Sequence, residues 1–177
     1  QPSDLPHIAL QVGESSPALL FDCFDGIDDL PFDLASRLSN SFGFSLKWLL
    51  SGERSPFPVL NIGSSYADFF KQTEDGRFSW ELYRVEGGRS EGELICLKTD
   101  NENGKILLGY INEHFVLTDG MGGGGRGNLE DFIRFLKTSW PTLNITTWVY
   151  EAGESGPELG QHHPVYYQRL MKRSSSK

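Results

Sequence analysis

The chain has 177 residues, 38% of them hydrophobic and 12% aromatic, and a formal net charge of −8. That much apolar material buries a substantial core and excludes an intrinsically disordered chain, while the acidity argues against a broad basic surface for nucleic acid. No apolar run reaches the roughly 18 to 20 residues that cross a bilayer, and the start QPSDLPHIAL has neither the basic nor the apolar part of a leader, so a soluble, cytoplasmic protein without membrane contact is expected.

In chain order, the first patterns are helical. Ser3 is placed to cap a helix running from His7 to Val12, and Ala9 and Gly13 stand four residues apart. Ser15-Ser16-Pro17-Ala18-Leu19 opens a second helix, which ends at Gly26. From Leu30 to Glu53 the chain reads LPFDLASRLSNSFGFSLKWLLSGE. Leu34, Ala35 and Leu38 recur at helical spacing, Gly43 closes that helix, Ser45 caps the next one, and Gly52 stops it. Pro56 and Pro58 prevent its continuation. Leu34, Leu38, Leu46, Trp48 and Leu49 are the expected core of this head, with Trp48 as a buried anchor.

The run from Gly43 to Gly52 fits G-x-S-x-x-W-L-L-x-G. It resembles the ending of the repressor-type (XRE, lambda-repressor-like) helix-turn-helix domain. The resemblance covers about residues 3 to 54 and starts at the family's second helix, the first having no counterpart in the sequence. It implies an all-α head over residues 1–54 and a transcriptional regulator that binds duplex DNA and catalyses no reaction. Ser15, Ser16 and Ala18, at the start of the recognition helix, would approach base edges, and Ser3 would approach phosphate. Charge points the other way. Residues 1–54 hold eight acids against Arg37, Lys47 and Arg54, and no Lys or Arg lies between Glu14 and Ser36. The alternative is a protein-interaction module, an antitoxin or anti-repressor component, whose acidic head binds a protein.

Residues 51–64 mix Gly, Ser and Pro as a connector would. Ser65 precedes a short helix with Tyr66, Phe69 and Phe70 on one face, and Glu74-Asp75-Gly76 turns the chain. From Phe78 the period changes to two: strands are expected at 78–85, 94–97, 106–111 and 114–118, joined by Gly87-Gly88, Asn103-Gly104 and Asn112-Glu113. Such short connections imply an antiparallel meander. Asn128 and Asp131 cap a helix carrying Leu129, Phe132, Ile133 and Leu136, and Ile145 to Tyr150 returns as a strand. The fold class expected is α+β: the helical head, then residues 65–153 as an antiparallel sheet domain with one main helix packed on it, serving as dimerisation or sensor domain, then a tail over 154–177 with a short helix at Val165 to Met171 and a frayed end. A homodimer is the expected assembly.

Other motifs are weaker. Gly122 to Gly125 with Arg126 precede a helix, so Gly123, Gly124, Gly125, Arg126 and Asn128 read either as an anion-binding loop or as a flexible connector. His162 and His163 lack further ligands at metal spacing, Cys23 and Cys96 read as buried thiols, and Trp48, Trp80, Trp140 and Trp148 as core. No cofactor or metal is expected. Some repressors with this type of head cleave themselves at an Ala-Gly bond; Ala152-Gly153 leaves only 24 residues after it, too few for a Ser/Lys catalytic fold.

Overall fold

The computed structural model describes residues 2–176 and divides after Pro58 into two compact units. The boundary falls within the predicted connector, whose second half already forms a strand.

The first unit, residues 1–58, contains α1 (Leu5–Gln11), α2 (Ala18–Phe24), α3 (Phe32–Phe42) and α4 (Leu46–Ser51). The local signals act as their chemistry requires. Gly43 and Gly52 take left-handed conformations that end α3 and α4, and the Ser45 hydroxyl accepts from the Trp48 amide at 3.3 Å. Leu5, Ala9, Val12, Leu20, Leu34 and Leu38 form the buried centre, one or more from each of α1, α2 and α3. Two expectations are corrected. Ser3 lies inside a 3-10 turn (Pro2–Asp4), and the residue preceding α1 is Asp4, which makes no side-chain cap. Trp48 is half-buried and stacks on Phe44 at 5.9 Å, while Leu46 is exposed, because short α4 adds an aromatic flank of Phe42, Phe44 and Phe57 outside the aliphatic core.

The second unit, residues 59–177, is built on a mixed sheet of β1 (Val59–Asn61), β2 (Phe78–Glu86), β3 (Leu94–Asp100), β4 (Ile106–Ile111), β5 (Asn144–Glu151) and β6 (Ser175–Ser176). The strand order is β1-β4-β3-β2-β5-β6. The α+β class holds, with a helical unit followed by a sheet unit, but the sheet is not wholly antiparallel. β2–β3–β4 form the predicted meander, whereas β5 runs parallel to β2 and β1 parallel to β4. The reason is the connection from β4 to β5, which passes through α6 (Gly123–Ser139) as a crossover long enough for parallel strands. The expected strand at 114–118 does not form. β1 occupies the free side of β4, so this segment instead packs Phe115 into the core and bonds the Leu117 amide to the Gly92 carbonyl at 2.6 Å.

Both faces of the sheet are covered. Trp80, Leu82, Leu94 and Cys96 meet Phe69 and Phe70 beside α5 (Tyr66–Phe69) and Phe132 of α6. Tyr83, Val85, Ile95 and Leu97 meet Tyr167 and Met171 of α7 (Pro164–Arg173). Period-two alternation thus sends neighbouring residues to different cores, and the apolar run of β3 serves both. Residues 154–177 are accordingly part of this unit. The Tyr167 hydroxyl accepts from the amides of Gln161 and His162, and β6 pairs with β5 at Val149 and Tyr150. Of the four tryptophans expected in the core, Trp80 is fully buried and Trp148 half-buried; the side chain of Trp140 lies outside the described residues.

Among the described residues, Asp100 is the buried charged side chain of this unit. It accepts from Arg77, the Glu102 amide and Asn103, tying the β3–β4 turn to the start of β2. The Arg77 hydrogen bond is the largest cause holding its carboxyl down, at about 2. A depressed folded value means the stabilisation is present above the unfolded value near 4 and is lost as pH falls through about 2. Acid titration of Asp100→Asn, followed by circular dichroism, is therefore expected to lack the loss of stability that the parent shows between those values.

Candidate nucleic-acid interface

The candidate element of the first unit consists of α1, the turn 12–17 and α2. Ala9 is buried where the two helices approach, Gly13 takes φ 78° in the turn, and Leu20 anchors α2 to Leu34 and Leu38 beneath it. A left-handed residue at Gly13 redirects the chain directly after the buried Val12, a geometry that glycine adopts without steric cost. The turn is fixed to α3 by one side chain. Arg37 donates to the Val12 carbonyl at 2.6 Å and to the carboxylates of Glu14 and Asp33.

Three of the predicted contact residues come together. Ser15, Ser16 and Ala18 are all exposed at the amino end of α2, and the Ser16 hydroxyl accepts from the Ala18 amide at 3.2 Å, in effect capping the helix before Pro17. Ser3 is exposed as well, but one turn ahead of α1 and outside its cap position.

The electrostatics of this surface are negative. Arg37 is engaged by Glu14 and Asp33, and Lys47 by Glu53 at 2.5 Å. On α2, burial first and then the carboxylates of Asp28, Asp22 and Asp29 push the Cys23 thiol up from its ordinary value. From the last residue of α2 to the first of α3, Phe24, Ile27 and Phe32 are 60%, 70% and 79% exposed among five aspartates (Asp22, Asp25, Asp28, Asp29 and Asp33). Sequence reasoning missed this solvent-facing apolar set, because the same letters also spell a core; only the burial of Leu20 and Leu34 on the opposite side shows which way they point.

The second candidate, the glycine run, has a different form from the one expected. Gly123, Gly124, Gly125 and Arg126 are the first residues of α6, not a loop before it, and Asn128 lies in its second turn. Arg126 donates through Nε to the Met121 carbonyl at 3.1 Å, and Asn128 donates to the His114 carbonyl at 2.9 Å instead of capping the helix. The packing of Leu129 and Phe132 carries helical geometry back through residues that individually disfavour it by about 0.5–1 kcal/mol. Arg126 and the helix amides are thereby turned to separate tasks, and no converging anion cradle is formed among the described residues.

His163 caps α7 by accepting from the Val165 amide at 3.3 Å, and the His162 ring lies 4.2 Å from that of Tyr166. No group of three or more potential metal ligands occurs among the described residues, and none of the described helices is long and apolar enough to cross a membrane. Comparison of the chain with protein-family models, with curated proteins and with solved structures returns no match.

Proposed function

We propose that the chain is a transcriptional regulator that contacts duplex DNA through its helical unit, with the sheet unit serving regulation or dimerisation. The observation that carries this reading is the pair α1 and α2, joined by the left-handed Gly13 and leaving Ser15, Ser16 and Ala18 exposed at the amino end of α2. In this geometry α2 enters the major groove amino end first. The serine hydroxyls donate to or accept from base edges, the Ala18 methyl meets apolar groups such as a thymine methyl, and Ser3 bonds to phosphate. Because Arg37 and Lys47 are already paired with carboxylates, few phosphates are neutralised. Affinity is then modest and its salt slope shallow, about one unit or two in log–log form. A mobility-shift titration of the full chain against duplexes from its own promoter region tests this. A shift at about 50 mM salt that Ser16→Glu abolishes is expected; no shift at that salt overturns the reading.

A second reading is favoured by one specific observation, the exposure of Phe24, Ile27 and Phe32 among aspartates. Apolar residues rimmed by one sign of charge suit a basic protein surface better than a polyphosphate. Under that reading the helical unit binds a cationic protein partner, and Phe32→Ser removes partner binding without altering the fold.

A further inference from the structure

The two margins of the sheet are built differently. β1, at one margin, is three residues long and follows Pro56 and Pro58, features that close an edge to further pairing. β5, near the other margin, is covered by β6 only at Val149 and Tyr150. Asn144, Ile145, Thr146 and Thr147 pair with β2 on their inner side, and among the described residues no strand pairs with them on the outer side. Neither charge nor proline guards this stretch. No charged residue occurs between Lys137 and Glu151, and no proline within β5.

The same flank carries an apolar groove of about 470 Å³ on α6, lined by Ile133, Leu136, Lys137 and Pro141. Its side is fixed by packing. Tyr66 of α5 meets Phe132 and Phe135 of α6 at 5.1 and 5.2 Å, and α5 belongs to the β1–β4 side, where Phe69 lies against Gly109. At 3.6 residues per turn Ile133 and Lys137 stand on the flank of α6 opposite Phe135, toward β5. Ile133 is 41% exposed there.

The charges on this flank are self-complementary. Glu130, Ile133 and Lys137 form one stripe, and neither Glu130 nor Lys137 has an ion-pair partner among the described residues. An antiparallel copy of α6 centred beside Ile133 sets Glu130 of each helix against Lys137 of the other. The strand and helix centres also lie at similar height. Counting from Pro141, Ile133 is about 12 Å back along the helix and Thr146 about 16 Å along the strand.

We propose that a second copy of this chain docks on this flank, the two β5 strands pairing antiparallel about a two-fold axis near Thr146 and the two α6 helices closing over each other's grooves. The result is one continuous sheet through both copies, with the open ladder satisfied by its own symmetry mate. The proposal rests on the reading of the sheet unit as the dimerising part and uses no residue of the helical unit. Failure here therefore leaves DNA binding standing, and failure of DNA binding leaves this interface standing.

The test is sedimentation velocity with light scattering on the full chain across a wide concentration range. The parent is expected to form a species of twice 19.8 kDa. Ile133→Asp and Thr146→Lys, both at exposed positions, are each expected to raise the dimer dissociation constant about tenfold or more while circular dichroism and melting stay as in the parent. Glu130→Lys weakens the dimer, and adding Lys137→Glu restores it. A parent that is monomeric throughout, a dimer indifferent to these substitutions, or a charge-swapped double variant that fails to recover overturns the proposal.

Discussion

Leu34→Ala is expected to unfold the helical unit while the sheet unit stays folded. Leu34 is fully buried at the point where α1, α2 and α3 meet, packed with Leu5, Ala9, Leu20 and Leu38. Truncation removes the transfer free energy of the side chain and leaves a cavity that three helices joined by short turns close only in part, at about 2–5 kcal/mol. A unit of 58 residues has little stability beyond that. Trp48→Ala is the control. Half-exposed and stacked on Phe44, it loses about 1–2 kcal/mol and leaves the unit folded. Calorimetry distinguishes the two, since Leu34→Ala loses one transition and Trp48→Ala only lowers it. Equal effects of both would contradict the aliphatic core described for the head.

The other large effect belongs to the sheet unit. Trp80 is 1% exposed in the first half of β2, with Phe70 at 6.0 Å, Phe78 at 6.2 Å and its indole Nε1 donating to the Phe69 carbonyl at 3.2 Å. Trp80→Ala forfeits the packing, about 3–5 kcal/mol, and leaves that carbonyl without its donor, about 1–3 kcal/mol more. The two costs together exceed much of what a domain of this size holds in reserve. Expression as an unfolded or protease-sensitive sheet unit is expected, read by hydrogen exchange of the β2 and β3 amides. Protection unchanged from the parent would mean that Trp80 is not the keystone of the face shared with α6.

Signals that act within a few residues were legible before the structure. The Gly43, Ser45 and Gly52 caps operate over a single helical turn, and the Asn103-Gly104 turn joins β3 and β4 as its residue types require. What the sequence hid was decided by distant partners. Whether Ile145 to Tyr150 lies parallel or antiparallel depends on where α6 carries the chain, not on the strand's own residues. Residues 114–118 have strand composition, yet β1 had already taken the place beside β4. Gly123 to Gly125 are poor helix formers held in a helix by the residues that follow them. The direction in which Phe24, Ile27 and Phe32 face depends likewise on which side of the helical unit is core.

The candidate interface was legible in the same uneven way. Ser15, Ser16 and Ala18 could be grouped from sequence because they are near neighbours at a helix start, and Pro17 fixes where that start falls. Ser3 could not, since its role depended on a cap that Asp4 displaces from it. The engagement of Arg37 with the turn was invisible, because Glu14 and Arg37 are 23 residues apart and meet only once α3 packs beneath α1 and α2.

Reading of duplex DNA by α2 from its amino end is tested by selecting bound duplexes from a random-sequence pool with the full chain at low salt, in parallel with Ser15→Glu and Ser16→Glu. Enrichment of a short shared motif by the parent and its loss in both variants is expected; Ser15→Glu, at an exposed position, melts as the parent does, and Ser16→Glu, which gives up the bond from the Ala18 amide, melts slightly lower but stays folded under the selection conditions. A pool that stays random with the parent, or one enriched equally by all three proteins, would contradict it.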